Sequence, residues 1–253
     1  MNRLNSRPMT IWVLGSLAFL LLLGMAGCAS TGAIGPAKKE AAAPADTRLG
    51  WWYANFDIAW PQGKAPAWYM DVLLAREVVS PVLQRYRKDI SLWRFHRRAA
   101  RDQSGDQFAF IFRTSASNAR RIYAALLSNP VLRRLEAKGI ILKVLTDDTN
   151  KIPRPAIEDT SDPSWSLPLQ KAWPYFIMGV SETWLDLSSR YARAAGDSPH
   201  SIAEMQTFYK KIDRKLDATW QNEGGHAFLH HLDALFGYGP LNVIVRRKVE
   251  LQF

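Results

Sequence analysis

Apolar and polar residues alternate in three segments of the first half of the chain, at residues 51–60, 90–98 and 107–113. The apolar positions are Trp52, Ala54, Phe56, Ile58 and Trp60 in the first segment, Trp93 and Phe95 in the second, and Phe108, Phe110 and Phe112 in the third. A period of two residues is typical of a β-strand that buries one face. The sequence therefore predicts three strands with aromatic inner faces, of which the second and third form a hairpin.

Two helices are predicted beside these strands. The first covers residues 65–87, where apolar residues recur at helical spacing, with a kink or restart at Ser80-Pro81. The second begins at Ser115 or Ser117 as its cap and runs to about Leu135, with an interruption at Asn129-Pro130.

Gly139 closes the second helix, and residues 140–146 then read as a buried strand. The order strand, helix, strand, strand, helix, strand predicts a ferredoxin-like βαββαβ sheet over residues 50–146, with helices on one face only. The other face would then carry the polar set Tyr53, Asn55, Asp57, Arg94, His96 and Arg98, with Arg113 as a further member.

The second half of the chain begins with a proline-rich, acidic loop at residues 147–166. A loop of that length is usually a linker or a functional element. Apolar residues at steps of three and four then predict a helical region over residues 167–240, which we expect to cover the open face of the sheet. Residues 241–253 alternate again and predict a final strand. The expected fold class is α+β.

The N-terminus has the charge pattern of an export signal. Arg3 and Arg7 precede an apolar run at residues 11–23, and Ala26 and Gly27 stand before Cys28, the only cysteine. The apolar run is shorter than the approximately 20 residues that a membrane-spanning helix needs. A chain with one cysteine also forms no internal disulfide, so its stability must come from its apolar core.

The sequence from Leu20 to Cys28 resembles the lipobox of bacterial lipoproteins, although Met25 stands where that family usually has Leu. The resemblance implies that residues 1–27 are a removed signal peptide and that Cys28 is lipidated. Residues 28–49 would then be a flexible tether. Ala29 implies sorting to the outer membrane, with the protein facing the periplasm. The alternatives are an ordinary buried thiol at Cys28 and an uncleaved anchor helix.

A second resemblance concerns residues 50–146. The segments are Trp51-Trp52-Tyr53, Asp71-Val72-Leu73-Leu74, Leu92-Trp93-Arg94-Phe95-His96-Arg97 and Gln107-Phe108-Ala109-Phe110-Ile111-Phe112-Arg113. Their layout is similar to that of the lanthipeptide dehydratase C-terminal, thiopeptide-type biosynthesis domain, which eliminates glutamate from modified Ser or Thr in a peptide. The resemblance implies a related shape, and leaves a peptide-modifying relative among the alternatives.

The chain is basic, with a formal net charge of +10. Much of the excess lies in one segment, where a single acid, Asp89, stands among Arg85, Arg87, Lys88, Arg94, Arg97, Arg98 and Arg101. Such a cluster favours an anionic neighbour, such as lipid headgroups, phosphate or an acidic protein. The alternative is a set of solvated arginines, and a nucleic-acid partner is not expected outside the cytosol.

Two sets of residues are candidates for chemistry. Arg94, Arg97 and Arg98 with Asp57 are anion-binding candidates, because guanidinium groups grip phosphate or carboxylate. His96 lies between these arginines and is a candidate acid or base. The alternative is an ion-paired layer beneath the C-terminal helices.

His226, His230 and Asp233 share one face of a predicted helix, and two histidines four residues apart can bind one zinc ion. The alternative is a polar face towards solvent. No cofactor is otherwise expected. We predict a binding or assembly module for an anionic ligand or an envelope protein, attached to the membrane by its lipid. A metal-dependent or His/Arg-based enzyme is the competing hypothesis.

Overall fold

The computed structural model describes residues 47–196 and 199–240. These residues form a mixed α+β structure with one antiparallel sheet of four strands, in agreement with the predicted fold class. The predicted signal peptide, Cys28, the tether as far as residue 46 and the final strand at 241–253 lie outside the described residues.

The elements follow one another in the order expected for residues 50–146. They are β1 (Leu49–Ile58), α1 (Trp68–Leu73), a π-helical stretch (Leu74–Val79), α2 (Ser80–Arg85), β2 (Leu92–Ala99), β3 (Asp106–Ser115), α3 (Ala116–Leu127), α4 (Pro130–Ala137) and β4 (Ile141–Thr146). The strand order in the sheet is β2-β3-β1-β4, with every neighbouring pair antiparallel.

The C-terminal half is helical. It consists of α5 (Leu167–Ala194), α6 (Ile202–Gly224), a second π-helical stretch (Gly225–His230) and α7 (His231–Leu235). α6 continues into α7 through the π-helical stretch without a break. The described residues belong to one compact unit.

The aromatic faces of the strands form the core, as predicted from their alternation. Trp52, Phe56, Phe108, Phe110 and Phe112 are fully buried. Their rings contact one another, with the centroids of Phe110 and Phe112 only 4.9 Å apart. This core lies between the sheet and the helices α1 to α4.

At two prolines in helices, Pro81 of α2 and Pro174 of α5, a side chain from elsewhere replaces the missing N–H. Pro81 cannot donate to the carbonyl of Glu77, which instead accepts from Asn129 Nδ2 at 2.9 Å. Pro174 likewise cannot donate to the carbonyl of Gln170, which instead accepts from Ser161 Oγ at 2.7 Å. The predicted kink at Ser80-Pro81 therefore appears as a π-helical stretch in an otherwise continuous helix.

The prediction that β4 is buried was wrong. β4 is an edge strand that pairs only with β1 among the described residues, and Leu142 and Leu145 are exposed to 63% and 44%. An apolar run of this length cannot by itself distinguish a central strand from an edge strand.

The expectation that the C-terminal helices cover the open face holds only in part, because among the described residues Met178 of α5 packs on that face while most of α5 and α6 lies elsewhere. α5 lies along the free edge of β2, where Ser181 Oγ accepts a hydrogen bond from Phe95 N at 3.1 Å, and α6 packs on α1. The loop at residues 147–166 also covers part of the open face. It does so through hydrogen bonds from Trp51 N to Arg154 O and from Trp51 Nε1 to Ile157 O.

Candidate binding cleft

The open face of the sheet has a covered half and an uncovered half. In the covered half, Trp51, Leu92 and Ile111 are buried beneath Ile157 of the loop and Met178 of α5. Arg94 lies at the boundary, where its Nη2 donates to Thr160 O at 3.3 Å, and burial lowers its pKa. The structure therefore places Arg94 under the loop and not on a free surface.

The uncovered half carries the remaining polar residues of the predicted face. Across the sheet, Arg98 is level with Gln107, Gln107 with Asp57, and Asp57 with Lys143. Asp57 accepts from Gln107 Nε2 at 2.8 Å and lies 3.3 Å from Lys143 Nζ, while Arg98 pairs with the exposed Asp102. These contacts largely neutralise the charge of this surface.

His96 stands between Arg94 and Arg98 on the same face. Partial burial lowers its pKa first, and the positive charges of Arg94 and Arg98 lower it further. The imidazole is therefore neutral at pH 7 and adds no charge to the face. The His96 side chain has no hydrogen bond or ion pair among the described residues that would fix it as an acid or base.

Arg97 points the other way, into a buried cluster of carboxylates. Its Nε donates to Asp71 Oδ2 at 2.7 Å and its Nη2 to Trp68 O at 2.9 Å, while Asp213 Oδ1 lies 3.5 Å away. The rings of Trp68 and Trp184 lie 5.3 and 5.2 Å from the guanidinium carbon. Arg97 thus joins α1, β2, α5 and α6, and its guanidinium is already occupied.

Burial dominates the electrostatics of this cluster. Asp71 is fully buried, and desolvation raises its pKa to about 7 despite the opposing effect of Arg97. Burial also raises the pKa of Asp106 and that of Asp213. The cluster is closed to solvent at Asp71, so it can hold the fold together but offers no access to a substrate.

The predicted metal ligands lie on an exposed extension beyond α6. The π-helical stretch brings His231 as well as His230 close to His226, with ring centroids separated by 5.2–5.5 Å. Asp233 follows in α7. Within residues 47–196 and 199–240, no group of three His, Cys, Asp or Glu side chains is arranged to hold a metal ion.

A cleft lies between α2, the edge of β2 and α5. Its volume is about 390 Å³, within the range of small-ligand sites. It is lined by Ser80, Leu83, Gln84, Arg87, Trp93, Glu182, Leu185, Asp186 and Ser189. We refer to these residues as the α2–α5 cleft.

The α2–α5 cleft combines an apolar floor with charged walls. Leu83, Leu185 and Trp93 form the apolar part, and Arg87 pairs with Glu182 across the rim. Trp93 is only 1% exposed, and its buried Nε1–H has no hydrogen-bond acceptor among the described residues. An unsatisfied buried donor costs about 1–3 kcal/mol, so a ligand oxygen that accepts from it would recover that energy.

The sequence indicated one part of this cleft only. Arg87 belongs to the basic cluster that was predicted to be a contact surface, and the other arginines of that segment have separate contacts. Arg101, for example, lies over the ring of Trp60 at 3.5 Å and donates to Lys64 O. Glu182 and Asp186 are four residues apart on a predicted helix, but no sequence pattern places them opposite α2.

No protein-family model, no curated protein and no solved structure matches this chain. Among the described residues, no helix is both long enough and apolar enough to cross a membrane.

Proposed function

We propose that this chain is a lipoprotein of the bacterial outer membrane, anchored through Cys28, and that its folded part is a periplasmic binding or assembly module. The order of charged and apolar residues ahead of Cys28 supports the anchor. Two lipid chains or more are what stable anchoring requires. We also propose a ferredoxin-like arrangement for residues 50–146, which the order of elements and the strand order β2-β3-β1-β4 support.

The partner that we propose is a protein, which inserts a short extended segment into the α2–α5 cleft. The observation that carries this proposal is the buried, unsatisfied Nε1–H of Trp93, a residue that lines that cleft. A backbone carbonyl of the bound segment would accept from it. Arg87 on one wall would pair with a carboxylate, and Glu182 and Asp186 on the other would pair with a cationic side chain.

A peptide segment fits the surface better than a free anion does. An anion site needs unpaired cations, but Arg97 and Arg98 each pair with aspartates, and Arg87 pairs with Glu182. A segment that carries both signs of charge can exchange partners with such pairs without a net loss of ion pairs.

Photo-crosslinking in cells tests the proposal. Benzoylphenylalanine in place of Gln84, at the rim of the cleft, should form a discrete adduct with an envelope protein, whereas the same residue in place of Arg133, on the surface of α4, should not. Trp93→Phe removes the donor and retains most of the ring. It should weaken the adduct at position 84 roughly five- to tenfold, because one hydrogen bond is lost.

Trp60→Phe is the matched control for Trp93→Phe. Trp60 Nε1 donates to Lys64 O at 2.8 Å, outside the cleft, so this variant should leave the adduct unchanged. Equal adducts at positions 84 and 133, or an adduct that Trp93→Phe does not weaken while its circular dichroism remains that of the wild type, would refute binding in the cleft.

A metal-dependent activity is the second candidate function, and the gathering of His226, His230 and His231 is the observation that favours it. Neutral imidazoles are good ligands for zinc. Stoichiometric zinc in untagged protein, lost in the double variant His226→Ala and His230→Ala, would support this candidate. If the purified protein contains no metal and the double variant behaves like the wild type, this candidate function is refuted.

A further inference from the structure

Three contacts fix the direction of α5 along the edge of β2. Met178 packs on the cluster that contains Leu92, at the start of β2. Ser181 accepts from the backbone of Phe95, and the ring of Trp184 lies 5.2 Å from the guanidinium of Arg97, near the end of β2. Residue numbers rise together in both elements, so α5 runs parallel to β2.

The first turns of α5 therefore extend past the end of the sheet. With a rise of 1.5 Å per residue, Leu167 lies about 16 Å along the helix axis ahead of Met178. The chain enters the sheet at this same end, because Leu92 and Trp51 are both level with Arg113, and Leu49 is level with Ser115. The predicted tether thus leads to the end from which α5 projects.

The projecting part of α5 is apolar and aromatic on its outer side. Its exposed large side chains are Leu167, Leu169, Tyr175 and Phe176, and Val180 follows two residues after Met178; the exposures of these five residues are 43–58%. Trp173 contacts both Trp165 and Phe176, with ring centroids 4.9 and 5.3 Å apart. We refer to Trp165, Trp173 and these exposed residues as the apolar end of α5.

We infer that the apolar end of α5 rests on the lipid surface that carries the anchor. This inference depends on the lipid anchor of the proposed function. Tryptophan and tyrosine favour the boundary between headgroups and acyl chains, and Lys171 on the same helix suits anionic headgroups. The exposed apolar side chains of such a segment are buried at that boundary.

The length of the predicted tether agrees with this position. If residues 29–46 act as the predicted tether, the length expected for a chain of 18 residues is roughly 20–25 Å. The entry end of the sheet is thereby kept within one helix length of the leaflet. An attachment at that distance turns a weak surface contact into an intramolecular one, which raises its effective concentration.

A fluorescent label at position 176 tests the contact. The full-length lipidated protein with Phe176→Cys has one free thiol, because Cys28 is blocked by its lipid, and it can be labelled with an environment-sensitive dye. The probe membrane is a vesicle of phosphatidylethanolamine and phosphatidylglycerol with acyl-chain-brominated phosphatidylcholine. Bromine should quench the dye by roughly half, because the dye lies at the acyl boundary.

Leu142→Cys on β4 is the matched control, since Leu142 is also an exposed apolar residue but lies on the opposite edge of the sheet. Its dye should not be quenched. The variant Leu169→Glu with Val180→Glu should abolish quenching at position 176 while the protein still floats with the vesicles through its lipid.

Each outcome separates the contact from the anchor. Protein that carries lipid and floats with the vesicles but shows no quenching at position 176 overturns the contact and leaves the anchor intact. Disulfide-linked pairs through position 176 without quenching would assign the surface to a second copy of the chain. Protein that carries no lipid, and that fractionates like Cys28→Ala, would refute the proposed function instead.

Discussion

Arg97 contacts two indole rings and three hydrogen-bond acceptors. Its guanidinium carbon lies over the rings of Trp68 and Trp184, and Asp71, Asp213 and the carbonyl of Trp68 accept from its N–H groups. A lysine offers neither the planar face nor the fork of donors, so Arg97→Lys is not a conservative change. A buried ion pair of this kind fixes the relative positions of its elements more than it adds stability.

The raised pKa of Asp71 predicts an unusual dependence of stability on pH. Its pKa in the folded protein is about 7, against 3.8 in an unfolded chain, so the folded state holds the proton more tightly. The stabilisation is fully present below about pH 4 and is lost as the pH rises through about 7. Asp71→Asn should flatten this loss, which amounts to on the order of 3 kcal/mol between pH 5 and pH 8. Urea unfolding at pH 5 and pH 8 measures it.

Asp102→Asn is the control for this prediction. Asp102 is exposed, and its pKa is lowered by the backbone N–H of Ser104 first and by Arg98 as well. Asp102→Asn should therefore leave the difference in the free energy of unfolding between pH 5 and pH 8 nearly unchanged. An Asp71→Asn protein with the same pH dependence as the wild type would show that Asp71 is not the titrating group.

Sequence alone could identify Arg97 as important but could not place it. Strand alternation puts Arg97 on the same face as Trp93 and Phe95, and the hypothesis of an anion site required it to be unpaired. Its two carboxylate partners lie 26 and 116 residues away in the chain. Such pairings depend on how α1 and α6 pack, which no local pattern encodes.

Asn129 connects two elements through the two ends of its amide. Its Oδ1 caps α4 by accepting from Val131 N at 2.9 Å, and its Nδ2 donates to the carbonyl of Glu77 that Pro81 leaves without a donor. Asn129→Ala should therefore lower the free energy of unfolding by about 2–3 kcal/mol, the sum of a lost cap and an unsatisfied carbonyl. Chemical denaturation measures this change.

Asn129→Asp separates the two contributions. Aspartate still caps α4 but cannot donate to Glu77 O, so its loss of stability should be about 1–2 kcal/mol. If Asn129→Asp is as stable as the wild type, the carbonyl of Glu77 does not need this donor, and the π-helical stretch at Leu74–Val79 has another cause.

At the scale of elements, apolar periodicity predicted the strands and helices from β1 to α4 well, because each of them buries one face against the aromatic core. Periodicity could not decide what covers an element from outside. β4 is as apolar as a central strand would be, although it lies at the edge of the sheet. The loop at 147–166 shows no apolar period, although Ile157 packs over Trp51. Which neighbour covers a face is decided by connections along the whole chain, not by the residues of that element.

In the whole molecule, α5 connects the two proposed surfaces. Its length of 28 residues corresponds to about 42 Å. The first half carries the apolar end, and the second half contributes Glu182, Leu185 and Asp186 to the α2–α5 cleft. A protein held to the leaflet by the first half would present the cleft at a fixed height above the membrane, which suits a module that meets another envelope protein.

The outer edge of β4 is a candidate binding site for the final strand that the sequence predicts. Among the described residues this edge has no partner strand, and the unpaired N–H and C=O groups of an exposed edge can bind a further strand. Residues 241–253 alternate apolar and polar positions, and we expect them to add to β4 as a fifth strand. Ending the chain after Pro240 should then lower Tm by roughly 4 °C, in line with a loss of 1–2 kcal/mol. It should also speed amide exchange in Ile141–Thr146.

The double variant His226→Ala and His230→Ala controls for damage to the exposed extension that precedes this segment. Those side chains contact each other and not the sheet, so the double variant should retain the Tm and the β4 protection of the wild type. Unchanged exchange at β4 after truncation would mean that the strand pairs elsewhere. β4 would then be an open edge, blunted only by its short length and by Lys143.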